Sequence, residues 1–171
     1  MNAETLSTGL AIGSALAVAA LAIGAVTDME RRQIPNSISL LVAVTSLSLL
    51  AALPPAEAAA HVGLAVFMFL LGAVAFSFRL VGGGDVKLFA ATMLWAGTAL
   101  VSLVIVVMSL ASVAIALLML LSDQLFRRPA GGIARGPTGS SGLKAPLPLG
   151  LAIAFGGVLA IMQRAAILPL G

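Results

Sequence analysis

Long apolar runs separated by short polar connections dominate the chain, at residues 6–26, 37–53, 58–78, 88–121 and 147–162. A helix needs about 20 apolar residues to cross a hydrocarbon core of about 30 Å, so each of the first three runs predicts one span. The run at 88–121 is too long for one ordinary span, and Trp95, Gly97 and Thr98 supply a break within it. A short fourth segment, roughly residues 86–96, is then followed by a fifth, and 147–162 makes the sixth. The pattern predicts an all-α integral membrane protein: a polytopic bundle of about six hydrophobic helices, the fourth short or broken, forming a single transmembrane domain over residues 1–171. Leu53 to Glu57 (LPPAE) reads as a proline-stiffened hairpin between helices. Arg127 to Lys144 is rich in Gly, Ser and Pro and reads as a linker, with a lid as the other use of such a loop. The N-terminal run has no basic flank before it and ends in Asp28 rather than in a small-residue cleavage site, so it is read as the first span and not as a signal peptide.

Composition agrees with the pattern. Hydrophobic residues make up 61% of the chain, charged residues 9%, and the mean hydropathy is +1.17, whereas soluble domains are about a quarter charged. Membrane lipid is therefore the expected surrounding. The absence of cysteine removes disulfides, thiolate metal sites and cysteine nucleophiles, and the single histidine removes a histidine-built metal centre. A net charge of +3 would suit nucleic acid, but the basic residues fall in short loops, the pattern that orients membrane proteins, and no nucleic-acid partner is expected. If the connection after Asp28 is cytoplasmic, Arg31, Arg32, Arg79, Lys87, Arg127, Arg128, Arg135 and Lys144 all lie inside and only Arg164, of the nine basic residues, lies outside. A single crossing through 88–121 would export four of them, which is a second reason to divide that run.

The chemistry is concentrated in two aspartates, Asp28 in TDMERRQIPN and Asp85 in VGGGDVKLFAA. Both fall near the predicted cytoplasmic face, and a carboxylate beside hydrocarbon is costly to keep. Two carboxylates brought together cannot both ionise, so they hold a proton between them; one then serves as base toward water and the other as acid toward a carbonyl. No serine has a histidine nearby, and two aspartates lack the third and fourth oxygen ligands that a hard cation wants, so neither a metal nor another cofactor is expected. Structural readings stand beside these. Asp28 could pair with Arg31 or Arg32 as a solvated anchor, and Asp85 could be the N-cap of a helix starting near Val86. Neither explains Gly82, Gly83 and Gly84, which allow positive φ and the close approach of another strand, such as a substrate. Ile34, Pro35 and Asn36 read as a sharp start to the second span with Asn36 as its cap. His61 is read as an interfacial or packing residue, and Gly63, Gly72, Gly156 and Gly157 as close helix contacts.

These two segments resemble the type IV prepilin peptidases, aspartyl proteases whose signature includes an aspartate leading to Ile-Pro-Asn and a GxGD motif. DMERRQIPN (Asp28 to Asn36) fits the first element, and GGGDVKL (Gly82 to Leu88) fits the second, with Lys87 in place. The segment LKAPLPLGLAIAFGG (Leu143 to Gly157) is similar to the family's closing element, with Leu149 where a tyrosine is common. The resemblance implies that Asp28 and Asp85 are the catalytic pair. It implies also that the substrate is a prepilin or pseudopilin cut at the boundary between its basic leader and its hydrophobic helix, and that the enzyme lies in the bacterial inner membrane with its site toward the cytoplasm. The short chain without a cysteine-bearing insertion looks like the compact form associated with tight-adherence (Flp) pili. Nothing marks a methyl-donor site, so the methylation performed by longer relatives is not carried over. Two other readings compete. A presenilin-like protease shares GxGD but has a longer body, and a small proton-linked transporter or pilus-assembly scaffold would hold its carboxylates nearer the midplane and show repeat symmetry.

Overall fold

The computed structural model describes residues 2–31, 33–126 and 149–167, which form five helices and no strand. They are α1 (Ala3–Arg31), α2 (Asn36–Ala52), α3 (Pro55–Ser77), α4 (Gly83–Phe126) and α5 (Leu149–Ile167). The element count is one below the six hydrophobic segments predicted only because 83–126 is numbered as one element; its two helical limbs are broken from one another at Gly97, as the sequence predicts. Four helices, α1, α3, α4 and α5, are long and apolar enough to cross a membrane, and α2 is a shorter apolar helix of 17 residues. The chain is a multi-pass, all-α membrane protein. The connection Arg127 to Lys144, together with Arg32 and the first part of the Leu143 to Gly157 segment, lies outside the described residues.

Backbone chemistry places each turn. Pro35 and Pro54 carry the extended angles typical of their ring (φ −59°, ψ 137° and φ −57°, ψ 147°), so the chain leaves one helix and starts the next without a long loop. Pro55 then takes the first helical position of α3, where its missing N–H costs nothing. At the far end of α3, Arg79 adopts φ 58°, and the N–H groups of Arg79 and Leu80 donate to the Phe76 and Ala75 carbonyls at 2.9 and 3.1 Å. This Schellman ending satisfies the last carbonyls of α3 and turns the chain toward the glycine run.

The break in α4 has a cause outside α4. Gly97 has φ 60° and ψ −172°, a region open essentially to glycine alone, and a Cβ there would collide with the imidazole of His61. A broken helix strands the carbonyls of its last turn, and in a membrane some other group must satisfy them. His61 Nδ1 does so at 2.7 Å from the Leu94 carbonyl oxygen. Because a carbonyl only accepts and a guanidinium only donates, Nδ1 carries the proton and Nε2 accepts from Arg164 Nη2 at 2.7 Å. Glu57 Oε1 accepts from the same guanidinium at 3.3 Å. His61 is therefore no interfacial residue: it is completely buried, and it ties α3 to α4 and α5. Arg164, the one basic residue assigned to the non-cytoplasmic side, is buried with it.

Packing follows the small residues. Val42, Leu21, Leu88, Trp95, Ile153 and Ile161 form the centre of the main core, and the indole N–H of Trp95 donates to the Val42 carbonyl at 3.2 Å. Gly72, Gly156 and Gly157 sit where a Cβ would meet Val86, Val104 and Leu21 within 3.1 Å, as close helix contacts require. Gly63 has nothing within 4 Å and is not a packing glycine. Large apolar side chains on the outside, among them Phe67, Leu110 and Leu118, remain exposed, the arrangement expected of a surface solvated by lipid.

Candidate active site

Three helix ends converge on one end of the bundle and carry the two aspartates there. Asp28 lies in the last turn of α1, which runs on to Arg31 rather than stopping at Val26. Its side chain is 6% exposed, so it is not a solvated anchor; Arg32, one of the two partners considered for it, lies outside the described residues. Asp28 Oδ2 accepts the backbone N–H of Gly150 at 2.9 Å, so the carboxylate sits against the first turn of α5, where free N–H groups and the helix dipole favour negative charge. Gly150 itself is buried, and a Cβ on it would come within 2.9 Å of both the Asp28 carboxylate and Ile34.

Asp85 is not the N-cap of its helix. α4 starts at Gly83, and the Gly82 carbonyl accepts the first helical bond from Val86 N at 3.2 Å, which makes Gly82 the cap and Asp85 the third helical residue. From there the Asp85 carboxylate reaches back to the backbone of Gly82, the second half of a capping-box arrangement. Aspartate at this position serves helix initiation.

The glycine run works differently from the expectation. None of Gly82, Gly83 and Gly84 takes positive φ. The room at Gly84 is filled from inside the chain: a Cβ there would lie 3.0 Å from the Ile34 carbonyl oxygen and 3.1 Å from Ile34 Cβ. The missing side chain lets the start of α4 press against the Ile34-Pro35 turn. Asn36 likewise makes no capping bond for α2, whose cap position is Pro35. Its Oδ1 instead accepts from Lys87 Nζ at 3.0 Å, so the IPN and GGGDVK segments, 51 residues apart at this contact, are bonded to one another.

Asp28, Gln33, Ile34, Gly82, Gly83, Gly84 and Asp85 together line one cavity of about 270 Å³. Pro35, Asn36 and Lys87 are not among the lining residues; they fix the turn and the helix that bring the lining together. Two participants escaped the sequence reading as individuals. Gln33 adds a neutral amide to the wall, and Gly150 gives a backbone donor that leaves no side-chain trace, although it lies within the third motif segment. Among the described residues no group of three or more His, Cys, Asp or Glu side chains is placed to hold a metal. Two carboxylates facing one cavity are the groups that acid–base chemistry on a bound molecule requires.

The sequence pattern of the type IV leader peptidase family matches residues 15–120, a stretch that contains both aspartates, the IPN turn, the glycine run and Lys87. Comparison with curated proteins and with solved structures finds no significant match. The family pattern covers well over half of the chain, and it spans the elements that build this cavity from α1 to the first limb of α4. The chain belongs to the type IV leader peptidase family.

Proposed function

We propose that the protein is a membrane aspartyl endopeptidase that removes the short leader from type IV prepilins or pseudopilins, with Asp28 and Asp85 as its catalytic pair. The observation that carries this reading is that both aspartates line one cavity, although they are far apart in sequence. The pair binds one water. One carboxylate takes a proton from it as its oxygen attacks the scissile carbonyl carbon, and the other gives its proton to the carbonyl oxygen, so that a tetrahedral diol forms. Return of a proton to the amide nitrogen breaks the C–N bond and frees the leader's carboxylate and the new N-terminus. The reaction uses no metal and no nucleophile of the protein.

The basic residues support an orientation in which this end of the bundle faces the cytoplasm of a bacterial inner membrane, where a leader would stay while its helix is in the bilayer. Both aspartates sit at helix ends rather than mid-helix, which favours cleavage at the membrane boundary over proton transport through the bilayer. The absence of a cysteine-bearing insertion between these helices supports the tight-adherence type of pilus system. The decisive experiment replaces each aspartate by asparagine and measures processing of a co-expressed prepilin. Each variant is expected to insert normally and to lose processing by roughly a thousandfold or more, as removal of an acid or base in a coupled pair does. Wild-type processing by either would end the proposal.

A further inference from the structure

Between α2 and α3 lies an open groove of about 820 Å³, floored by the first limb of α4. α2 and α3 make the sparsest contact of any packed helix pair, which is why the groove is open along its length. Each of the three helices gives it one complete stripe: Asn36, Ser39, Leu40 and Ala43 from α2, Val62, Ala65, Val66 and Phe69 from α3, and Lys87, Ala90, Ala91 and Leu94 from α4. That i, i+3, i+4, i+7 spacing is the one by which helices present a continuous face, here about two turns or 10 Å long. The middle of the floor is Ala90 and Ala91, with Leu40, Val62, Val66 and Phe69 on the walls, so a helix can come close to the backbone beneath it.

Two features fix what enters and which way round. The groove begins at Asn36 and Lys87, whose hydrogen bond joins the two aspartate-bearing segments, and it runs from there toward His61 and Leu94. At the same end Ser39 is 5% exposed, and its buried Oγ has no hydrogen-bond partner among the described residues. A hydroxyl left without a partner in a membrane protein is costly, and an acyl chain offers it nothing. The first turn of a helix offers N–H groups with no partner of their own. Building on the peptidase reading, we propose that this groove receives the apolar helix of the substrate, N-terminus at Asn36 and Lys87, with the Ser39 side chain turning about χ1 so that its Oγ accepts a first-turn N–H. The helix then lies parallel to α2 and to the first limb of α4, and the residues preceding it, which include the scissile bond, are led into the cavity of Asp28 and Asp85.

The chain has no cysteine, so single-cysteine variants can be cross-linked cleanly. Leu40→Cys, Val62→Cys and the control Leu110→Cys, on the outward face of the second limb of α4, are placed in an Asp28→Asn background that leaves substrate uncut. The probe is a type IV prepilin shown to be cleaved by the wild-type enzyme, carrying one cysteine either in the first turn of its hydrophobic helix or two turns later. Leu40→Cys is expected to trap the early cysteine and Val62→Cys the late one, with Leu110→Cys trapping neither. In the otherwise wild-type enzyme, Val66→Trp, which fills the groove from an exposed wall, is expected to raise the KM for this prepilin roughly tenfold, and Leu110→Trp is expected to leave it unchanged. Reversed pairing, equal trapping at Leu110, enzyme-to-enzyme cross-links in place of substrate, or an unchanged KM for Val66→Trp overturns the proposal. Those outcomes leave the peptidase reading standing; only activity surviving in the aspartate variants removes that.

Discussion

Alanine at Gly150 tests the site through a residue that carries no chemistry of its own. The added methyl would lie 2.6 Å from Ile34 Cδ1, 2.8 Å from Asp28 Oδ2 and 2.9 Å from Asp28 Cγ. Ile34 Cδ1 is the end of a flexible side chain and can move aside at small cost. The carboxylate cannot, because its Oδ2 is held by the N–H of the same residue at 2.9 Å, and any retreat lengthens that bond. A hydrogen bond to a charged group contributes about 1.5–3 kcal/mol, and each 1.4 kcal/mol is a factor of about ten. If the methyl removes most of that bond, processing should fall roughly 10- to 150-fold, with the loss in kcat more than in KM, since the methyl moves an aspartate rather than a substrate contact. The assay is prepilin processing per unit of membrane-inserted enzyme, with Gly63→Ala, which meets nothing within 4 Å, as the matched control. Processing by Gly150→Ala within about twofold of that control would mean that the Gly150 contact does not position Asp28 for catalysis.

Gly84→Ala should reduce processing more than it reduces membrane abundance, because its methyl would press on the Ile34 backbone rather than on a movable side-chain tip, whereas Gly131→Ala should leave turnover unchanged; equal activity of the two would remove the steric basis of the glycine run. Purified enzyme should keep its activity in chelators and thiol reagents. Loss on chelation, followed by recovery with one divalent ion, would put a metal between the aspartates instead of a shared proton.

Hydropathy exposed the spans because lipid leaves the backbone few alternatives to helix, so long apolar runs and their interruptions translate directly into elements. Trp95, Gly97 and Thr98 marked the break in α4 for the same reason. What holds the break was hidden, since a lone histidine on an apolar helix reads as packing, and its partner Arg164 lies 103 residues away. The aspartate motifs were legible as segments, but the work of individual residues within them was not. A glycine announces close approach without saying what approaches, and at Gly84 the visitor is Ile34 rather than substrate. Asparagine is a good cap in general, yet Asn36 follows the proline that holds the cap position and turns to Lys87 instead. Gly150 was least visible of all, because a backbone N–H is common to almost every residue and only the fold selects this one.

The last described helix closes both polar sites: Arg164 completes the set around His61, and Gly150 N–H meets Asp28 across 122 residues. A ribosome makes α1 through α4 before either donor exists. During that interval His61 and Asp28 lack those partners inside an apolar, half-built bundle, so the nascent chain has its motifs but neither its braced α4 nor its held carboxylate. Arrival of α5 supplies both at once, one near each end of the bundle. The two polar sites at opposite ends of the bundle are thus completed in one step, and a chain ending before Leu149 would hold neither bond.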